Sequence, residues 1–148
     1  MLADKTHLKE WLAMRLVLWP ECPPDESEAE IEQTLSSERT TAFIALEAAR
    51  AVGFAEVSIR EYVDGCTTQP VGYLEGIYIL PDFRKKGFAR ALVQRAESWS
   101  QSRGCREFGS DAKLGDNASI AFHNAVGFRE TERQVVFLKT ISLDGERK

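Results

Sequence analysis

Leu74-Glu75-Gly76-Ile77-Tyr78-Ile79-Leu80-Pro81-Asp82-Phe83-Arg84-Lys85-Lys86-Gly87-Phe88-Ala89 reads as a buried strand, a proline-stopped turn and the mouth of a helix. Ile77, Ile79 and Leu80 are the β-branched and apolar residues of a packed strand. Pro81 has no N–H to give to a ladder, so regular pairing is expected to stop there. After Gly87 the period changes: Phe88, Ala91, Leu92, Arg95, Ala96 and Trp99 recur at three- and four-residue steps, an amphipathic helix running to about Arg103. Arg84, Lys85 and Lys86 stand just before that helix, with Gly87 where the backbone turns tightly or approaches a ligand. A helix start offers unpaired N–H groups and a positive dipole end, which suits phosphate. Solvated basic residues in an ordinary strand–turn–helix are the plainer alternative.

The rest of the composition bounds what such a loop can serve. The 148-residue chain is read as one domain, residues 1–148, with ordinary hydrophobic (43%) and charged (28%) content. No apolar run is long enough to span a bilayer and no signal-peptide pattern opens the chain, so no membrane partner and a cytoplasmic location are expected. A net charge of −4 argues against nucleic acid as the main partner. One basic loop on a negative protein suggests an anionic cofactor held locally and a cationic substrate drawn by the remainder. Cys22, Cys66 and Cys105 are odd in number and widely spaced, so they read as free thiols and no metal site is expected.

Along the chain, Leu8, Trp11, Leu12, Leu16 and Trp19 mark a helix over Thr6–Trp19 that Pro20 ends. Trp19, at the helix end beside a proline-rich turn, suits either a core rim or a pocket wall. Ser27-x-x-Glu30 resembles a capping box opening a second helix to about Glu38, in an acidic region most simply read as a solvated face. Strands are expected over Thr41–Glu47, Ala51–Val63 (with one slip of period, hence a bulge) and Val71–Leu80. After the long helix, Arg103-Gly104 forms a C-cap. A short strand Glu107–Asp111, a short helix Ser119–Val126 and strands Phe128–Glu130 and Glu132–Ser142 follow, with a frayed tail over Asp144–Lys148. The order ααβββαβαβ is an α+β (mixed α/β) domain.

Arg84-x-x-Gly87-x-Ala89 after a Leu-Pro-ended strand resembles the pyrophosphate signature of the GCN5-related N-acetyltransferases, the GNAT superfamily. The element order is that of the GNAT fold, a central, mostly antiparallel twisted sheet flanked by helices. A larger resemblance, to aminoglycoside 6′-N-acetyltransferases, is carried by Leu18-Trp19-Pro20, Leu74-Glu75-Gly76-Ile77, Gly104-Cys105-Arg106-Glu107, Ser110-Asp111 and Gly127-Phe128-x-Glu130-Thr131-Glu132-Arg133. It implies an acetyl-CoA-dependent enzyme conferring antibiotic resistance. The diphosphate would lie on Arg84, Lys85, Lys86, Gly87, Phe88 and Ala89. Backbone groups of Ile77 and Ile79 would pair with pantetheine, and the Ile77 N–H would polarise the thioester carbonyl. The resemblance further implies aminoglycoside contacts at Trp19, Tyr62, Glu75, Asp111 and Glu132, and a homodimer whose C-terminal strands contribute to the partner's sheet or site.

The residues agree with that chemistry and leave some roles open. Glu75 is a charge among apolar strand neighbours, which is disfavoured unless it meets a partner or a wet cleft; a structural ion pair satisfies it equally. Asp111 ends the neighbouring strand, as an acceptor ligand or as a turn or cap residue. Either carboxylate suits an ammonium, although a carboxylate of ordinary pKa is a weak base for an alkyl amine, which favours a water relay. In Phe122-His123-Asn124-Ala125-Val126-Gly127-Phe128, histidine takes the place of the tyrosine that protonates the leaving thiolate in related enzymes. His123 supplies that proton or only packs and hydrogen-bonds. Asn117 is one residue off the usual spacing for a pantetheine contact, and Asp116 fits that register as well. Other acceptors (a polyamine, a small metabolite amine, a protein amine) and a non-enzymatic acyl-CoA sensor stand as alternatives.

Overall fold

The computed structural model describes residues 1–142, and the tail expected over Asp144–Lys148 lies outside them. Four strands form one sheet in the order β1-β2-β3-β4: β1 (Thr40–Glu47), β2 (Arg50–Arg60), β3 (Val71–Ile79) and β4 (Phe108–Gly109). The first two pairings are antiparallel and the last is parallel. A 3-10 turn at Lys5–His7 leads into α1 (Leu8–Leu18), followed by α2 (Pro24–Ser36); α3 (Phe88–Ser102) and α4 (Asn117–Ala125) come later in the chain.

Alternation along the strands gives the sheet two apolar faces, each covered by helix. One face, with Phe43, Ala45, Val52, Ala55, Val57, Leu74 and Ile79, packs on Leu92, Val93 and Ala96 of α3. The other, with Ala42, Ile44, Ala51 and Phe54, packs on Trp11 and Met14 of α1 and Ile31 of α2. Trp11, Ile31, Ile44, Val52 and Phe54 are fully enclosed, each stabilising by about 1.5–3 kcal/mol or somewhat more for the larger rings. Gly104, at φ +87°, turns the chain out of α3 as the expected C-cap.

The expected bulge is present and is one of two. Ala45 pairs with Gly53 and Leu46 with Ala51, which leaves Val52 as the extra residue in β2. Glu56 pairs with Gly76 and Val57 with Leu74, which leaves Glu75 as the extra residue in β3. An inserted residue bends its strand and re-aims its side chain.

Two expectations are corrected. Helix α2 starts at Pro24, the favoured first-turn position for proline, so Ser27 is not its cap; Ser27 is buried and its hydroxyl accepts from Arg15 Nη1 at 2.8 Å. The strands expected at Phe128–Glu130 and Glu132–Ser142 do not form, and Val135, Val136, Phe137, Leu138 and Ile141 stand 71–93% exposed. The reason is geometric: β4 is two residues long and offers almost no edge for another strand of the same chain to extend.

Candidate active site

The β3–β4 ladder is short by design of the sequence. Only Gly72↔Phe108 and Tyr73↔Gly109 pair, and beyond them the two strands part. The Leu80 N–H donates to the Val52 carbonyl of β2 at 2.9 Å, so alternation turns the polar backbone groups of Ile77 and Ile79 to the opposite, open edge. That edge is a template for an extended ligand carrying its own amides.

At the end of the same strand, Pro81–Phe83 forms a single 3-10 turn and the chain enters α3 through Arg84–Gly87. Lys85 (φ +62°) and Gly87 (φ +90°) both take left-handed conformations, which curls successive N–H groups toward one concave side. A Cβ at Gly87 would meet nothing within 4 Å, so the surface above the helix start is open. Phe88, Ala89 and Arg90 begin the helix before its first backbone bond, Ala91 N–H to the Gly87 carbonyl at 3.1 Å. Arg84 folds back, its Nε–H donating to the Ile79 carbonyl at 2.8 Å, which ties the loop to the open strand edge. Lys85 and Lys86 are exposed. Free N–H groups, a helix dipole and exposed cations at one point suit a diphosphate.

The bulge lifts Glu75 out of a strand that is buried up to Leu74 and half-buried from Gly76 to Tyr78, into a polar cleft of about 760 Å³ shared with Trp19, Glu30, Gln33, Thr34 and Thr40. Glu75 is not alone there. Arg60 grips both of its oxygens, Nη2 lying 2.8 Å from Oε1 and Nε 3.1 Å from Oε2, and the Ser58 hydroxyl donates to Oε2. Asp111, just past β4, accepts from the Tyr73 hydroxyl and lines a second cavity of about 800 Å³ with Ser110, His123 and Glu132. Burial, and then the Asp111 hydrogen bond, push the Tyr73 phenol well above its ordinary range, so it stays a donor. The two carboxylates thus line two cavities and are joined through Arg60, which clasps Glu75, and the Tyr73 ring it rests on, whose hydroxyl donates to Asp111.

Residues 7–128 match the model of the acetyltransferase (GNAT) family. The chain belongs to that family. Among relatives, an aminoglycoside N(6′)-acetyltransferase type 1 of Salmonella enteritidis is 42% identical over 137 residues, covering 92% of this chain and 94% of the relative. One of Acinetobacter genomosp. 13 is 43% identical over 146 residues, covering 95% and 97%. Aminoglycoside N-acetyltransferase AAC(6′)-Iy in complex with CoA superposes with a TM-score of 0.91 at 41% identity, covering 95% of this chain and 93% of that one. Its complex with the bisubstrate analogue CoA-S-monomethyl-acetylneamine matches equally, at 0.91 and 41%, covering 95% and 97%. The GNAT fold expected from the sequence is thus the fold present.

Within this GNAT site, His123 sits half-buried between Phe122 and Phe128, with ring centroids 5.6 and 5.1 Å away. Its Nδ1 lies 2.7 Å from the Ser119 carbonyl, which can only accept, so Nδ1 carries a hydrogen. Nε2 is 2.8 Å from Ser110 Oγ, which is also 3.3 Å from the Leu74 carbonyl. Neutral His123 accepts from Ser110; charged, it donates to Ser110, whose own hydrogen then turns to Leu74. Both residues line the Asp111 cavity, and a proton passes from His123 to it when the serine hydrogen swings from the Leu74 carbonyl into that space.

The remaining expected residues divide. Trp19 caps α1 and lies over β3: a Cβ at Gly76 would strike its ring, Arg15 Cζ stands 4.7 Å from the ring centroid and Phe54 meets it edge-on at 6.2 Å. It is a cleft wall backed by core. Tyr62 is 69% exposed and spends its hydroxyl on Asp64 at 2.8 Å. Glu132 lines the Asp111 cavity. Asn117 opens α4 and is exposed outside both cavities, while Asp116 caps that helix by accepting from Ser119 N–H at 3.1 Å. Arg60, Tyr73 and Ser58 partner the carboxylates with no local sign of it in the sequence. The available signal was an arginine in a strand beside an isolated glutamate, but pairing them needs a register set 15 residues away.

Proposed function

We propose that this acetyltransferase transfers the acetyl group of acetyl-CoA to the 6′-amine of aminoglycosides, a resistance activity of a bacterial cytoplasm. The observation that carries it is the pair of carboxylates, Glu75 on its bulge and Asp111 beyond the splayed strand, set beside an open strand edge and a phosphate-suited helix start. Aminoglycosides are polycations with apolar sugar faces, recognised by carboxylates and aromatic walls.

Arg84, Lys85, Lys86, Gly87, Phe88 and Ala89 hold the diphosphate, and the backbone of Ile77 and Ile79 holds the pantetheine arm. Acetyl-CoA supplies an acyl group activated as a thioester. The Ile77 N–H is the donor for its carbonyl. Glu75 and Asp111 bind and orient the acceptor's ammonium, Trp19 and Tyr62 face its sugar rings, and Glu132 takes a further amine. An ammonium bound by two carboxylates loses its proton through water, and His123, through Ser110, returns one to the departing sulfur.

The C-terminal arm belongs to the same proposal. Five large apolar side chains between Val135 and Ile141 are exposed, which is the pattern of a strand whose partner is a second copy of the chain. Its root, Glu132–Val136, lines the Asp111 cavity, so a homodimer would also finish the site.

The test is release of free thiol from acetyl-CoA against aminoglycosides with and without a 6′-amine. Turnover confined to 6′-amine compounds supports the proposal. Turnover only with polyamines or protein amines moves the acceptor, and tight acetyl-CoA binding without turnover on any amine indicates a sensor.

A further inference from the structure

The acceptor site carries a cation of its own. Arg60, the last residue of β2, makes three contacts to Glu75, from Nε to Oε2 at 3.1 Å and from Nη2 to Oε1 and Oε2 at 2.8 and 3.0 Å. Its Cζ lies 3.7 Å from the centroid of the Tyr73 ring, whose hydroxyl donates to Asp111. The guanidinium therefore rests on the ring that tethers one acidic group while it clasps the other.

Its setting distinguishes it from a pair built for stability. The Arg15–Glu56 pair below the sheet has side chains 5% and 7% exposed; Arg60 and Glu75 are 44% and 33% exposed, and Glu75 lines the cleft. An exposed pair adds little to stability. Here it lies where an ammonium has to bind. Two carboxylates and one guanidinium leave a single net negative charge, so an entering amine meets half the charge that the carboxylates alone would present.

We propose that Arg60 is a specificity-determining residue, a tethered guanidinium that competes with the acceptor's ammonium for Glu75. The inference rests on the amine-acceptor reading of this site. A monoamine exchanges one cation for another and gains little. A polyamine releases Arg60 and also reaches Asp111 and the acidic wall, so it alone displaces the tether efficiently. Arg60 would thus filter for polycations among amines that share the same reactive group.

Arg60→Gln keeps a polar chain on the Tyr73 ring and removes the charge. The expected result is a KM for 6′-amine aminoglycosides lowered roughly two- to fivefold, and a larger lowering for a monoamine sugar with the same reactive group, 6-amino-6-deoxyglucose. Arg60→Lys, which keeps charge but loses the fork, should fall between. A raised acceptor KM in Arg60→Gln, or a lowered kcat with KM unmoved, would show that Arg60 positions Glu75 and would overturn the proposal. An urea unfolding curve and the acetyl-CoA KM verify that the variant is folded. A second readout needs no turnover: the Arg60 Nε–H resonance in ¹⁵N-labelled protein, titrated with spermidine trihydrochloride and, at equal ionic strength, sodium chloride. Movement with spermidine alone supports displacement, and identical responses overturn it even where aminoglycosides are substrates. Absence of aminoglycoside turnover with selective movement would sink the substrate assignment and leave the competition standing.

Discussion

Trp19 walls its cleft from the end of an α1 that a buried ionic cluster ties to the sheet, and that dependence can be measured. Arg15 donates from Nε to Glu56 at 2.7 Å and from Nη2 at 3.1 Å, and to the Ser27 carbonyl and hydroxyl and to Glu30. Glu56 accepts a further bond from Trp11 Nε1 at 3.0 Å. Glu56→Gln keeps shape and one acceptor but leaves a buried guanidinium short of its counter-charge. Breaking a buried pair in this way costs about 3–5 kcal/mol. Glu30, half-exposed, still partners Arg15, which places the expected loss near the lower end, about 3 kcal/mol, or a Tm lower by roughly 6–12 °C for a chain of this size. Arg15→Met strands the Glu56 carboxylate and should lose a similar amount. The double variant removes both charges and should retain at least about 2 kcal/mol more than the sum of the singles predicts. Urea unfolding at fixed protein concentration reads all four corners of the cycle. Additive singles, or a Glu56→Gln loss below about 1 kcal/mol, would refute the claim that this pair is desolvated and coupled. Because Arg15 also underlies the Trp19 ring, the singles should raise the acceptor KM as well.

Four other outcomes follow from the same geometry. Gly76→Ala drives a methyl into the Trp19 ring, an overpacking worth about 1–3 kcal/mol; acceptor KM should rise and the tryptophan emission shift, and an unchanged KM would detach Trp19 from the acceptor. Gly87→Ala meets no atom yet must hold φ +90°, at a cost of about 1–2 kcal/mol, so the KM for acetyl-CoA should rise roughly five- to thirtyfold while acceptor KM stays put. Hydrogen bonds from the Thr68 side chain and from the Thr68 and Thr67 backbone lower the Glu107 carboxyl below its ordinary 4.5, so its stabilisation is full above that value and is lost as pH falls from there through the lowered folded value. Wild type should therefore lose more stability than Glu107→Gln between about pH 5 and 3, measured by urea midpoints. Phe137→Asp, at an 89% exposed position, should leave the fold intact and yield monomers by sedimentation, whereas a retained dimer would place the interface elsewhere.

How far the sequence carries depends on whether the information is local. The stretch from Val71 to Arg103 was legible because its period changes once, from two to 3.6, around a proline and a glycine whose backbone demands are local. Glu75 stood out as a charge in an apolar strand. What lifts it into the cleft is a bulge, and that depends on how β2 and β3 register across a long connection. Arg60 and Tyr73 became partners of the carboxylates through the same register, so nothing in their immediate neighbours announced it. Ser27 fitted a capping signature, but Pro24 set the helix start three residues earlier and a distant arginine claimed the hydroxyl. The last apolar run carries a strand's pattern. That pattern says an edge must be covered; it does not say which chain covers it.

The most direct test of the account is kcat/KM for a 6′-amine aminoglycoside in Glu75→Gln and Asp111→Asn, with the acetyl-CoA KM as internal control. Loss of an orienting, charge-bearing group at the reacting centre predicts a fall on the order of 10²–10⁴-fold in each variant, with acetyl-CoA binding retained. Activity within about threefold of wild type in both would correspond to less than about 1 kcal/mol and would contradict the assignment of the acceptor to these two carboxylates.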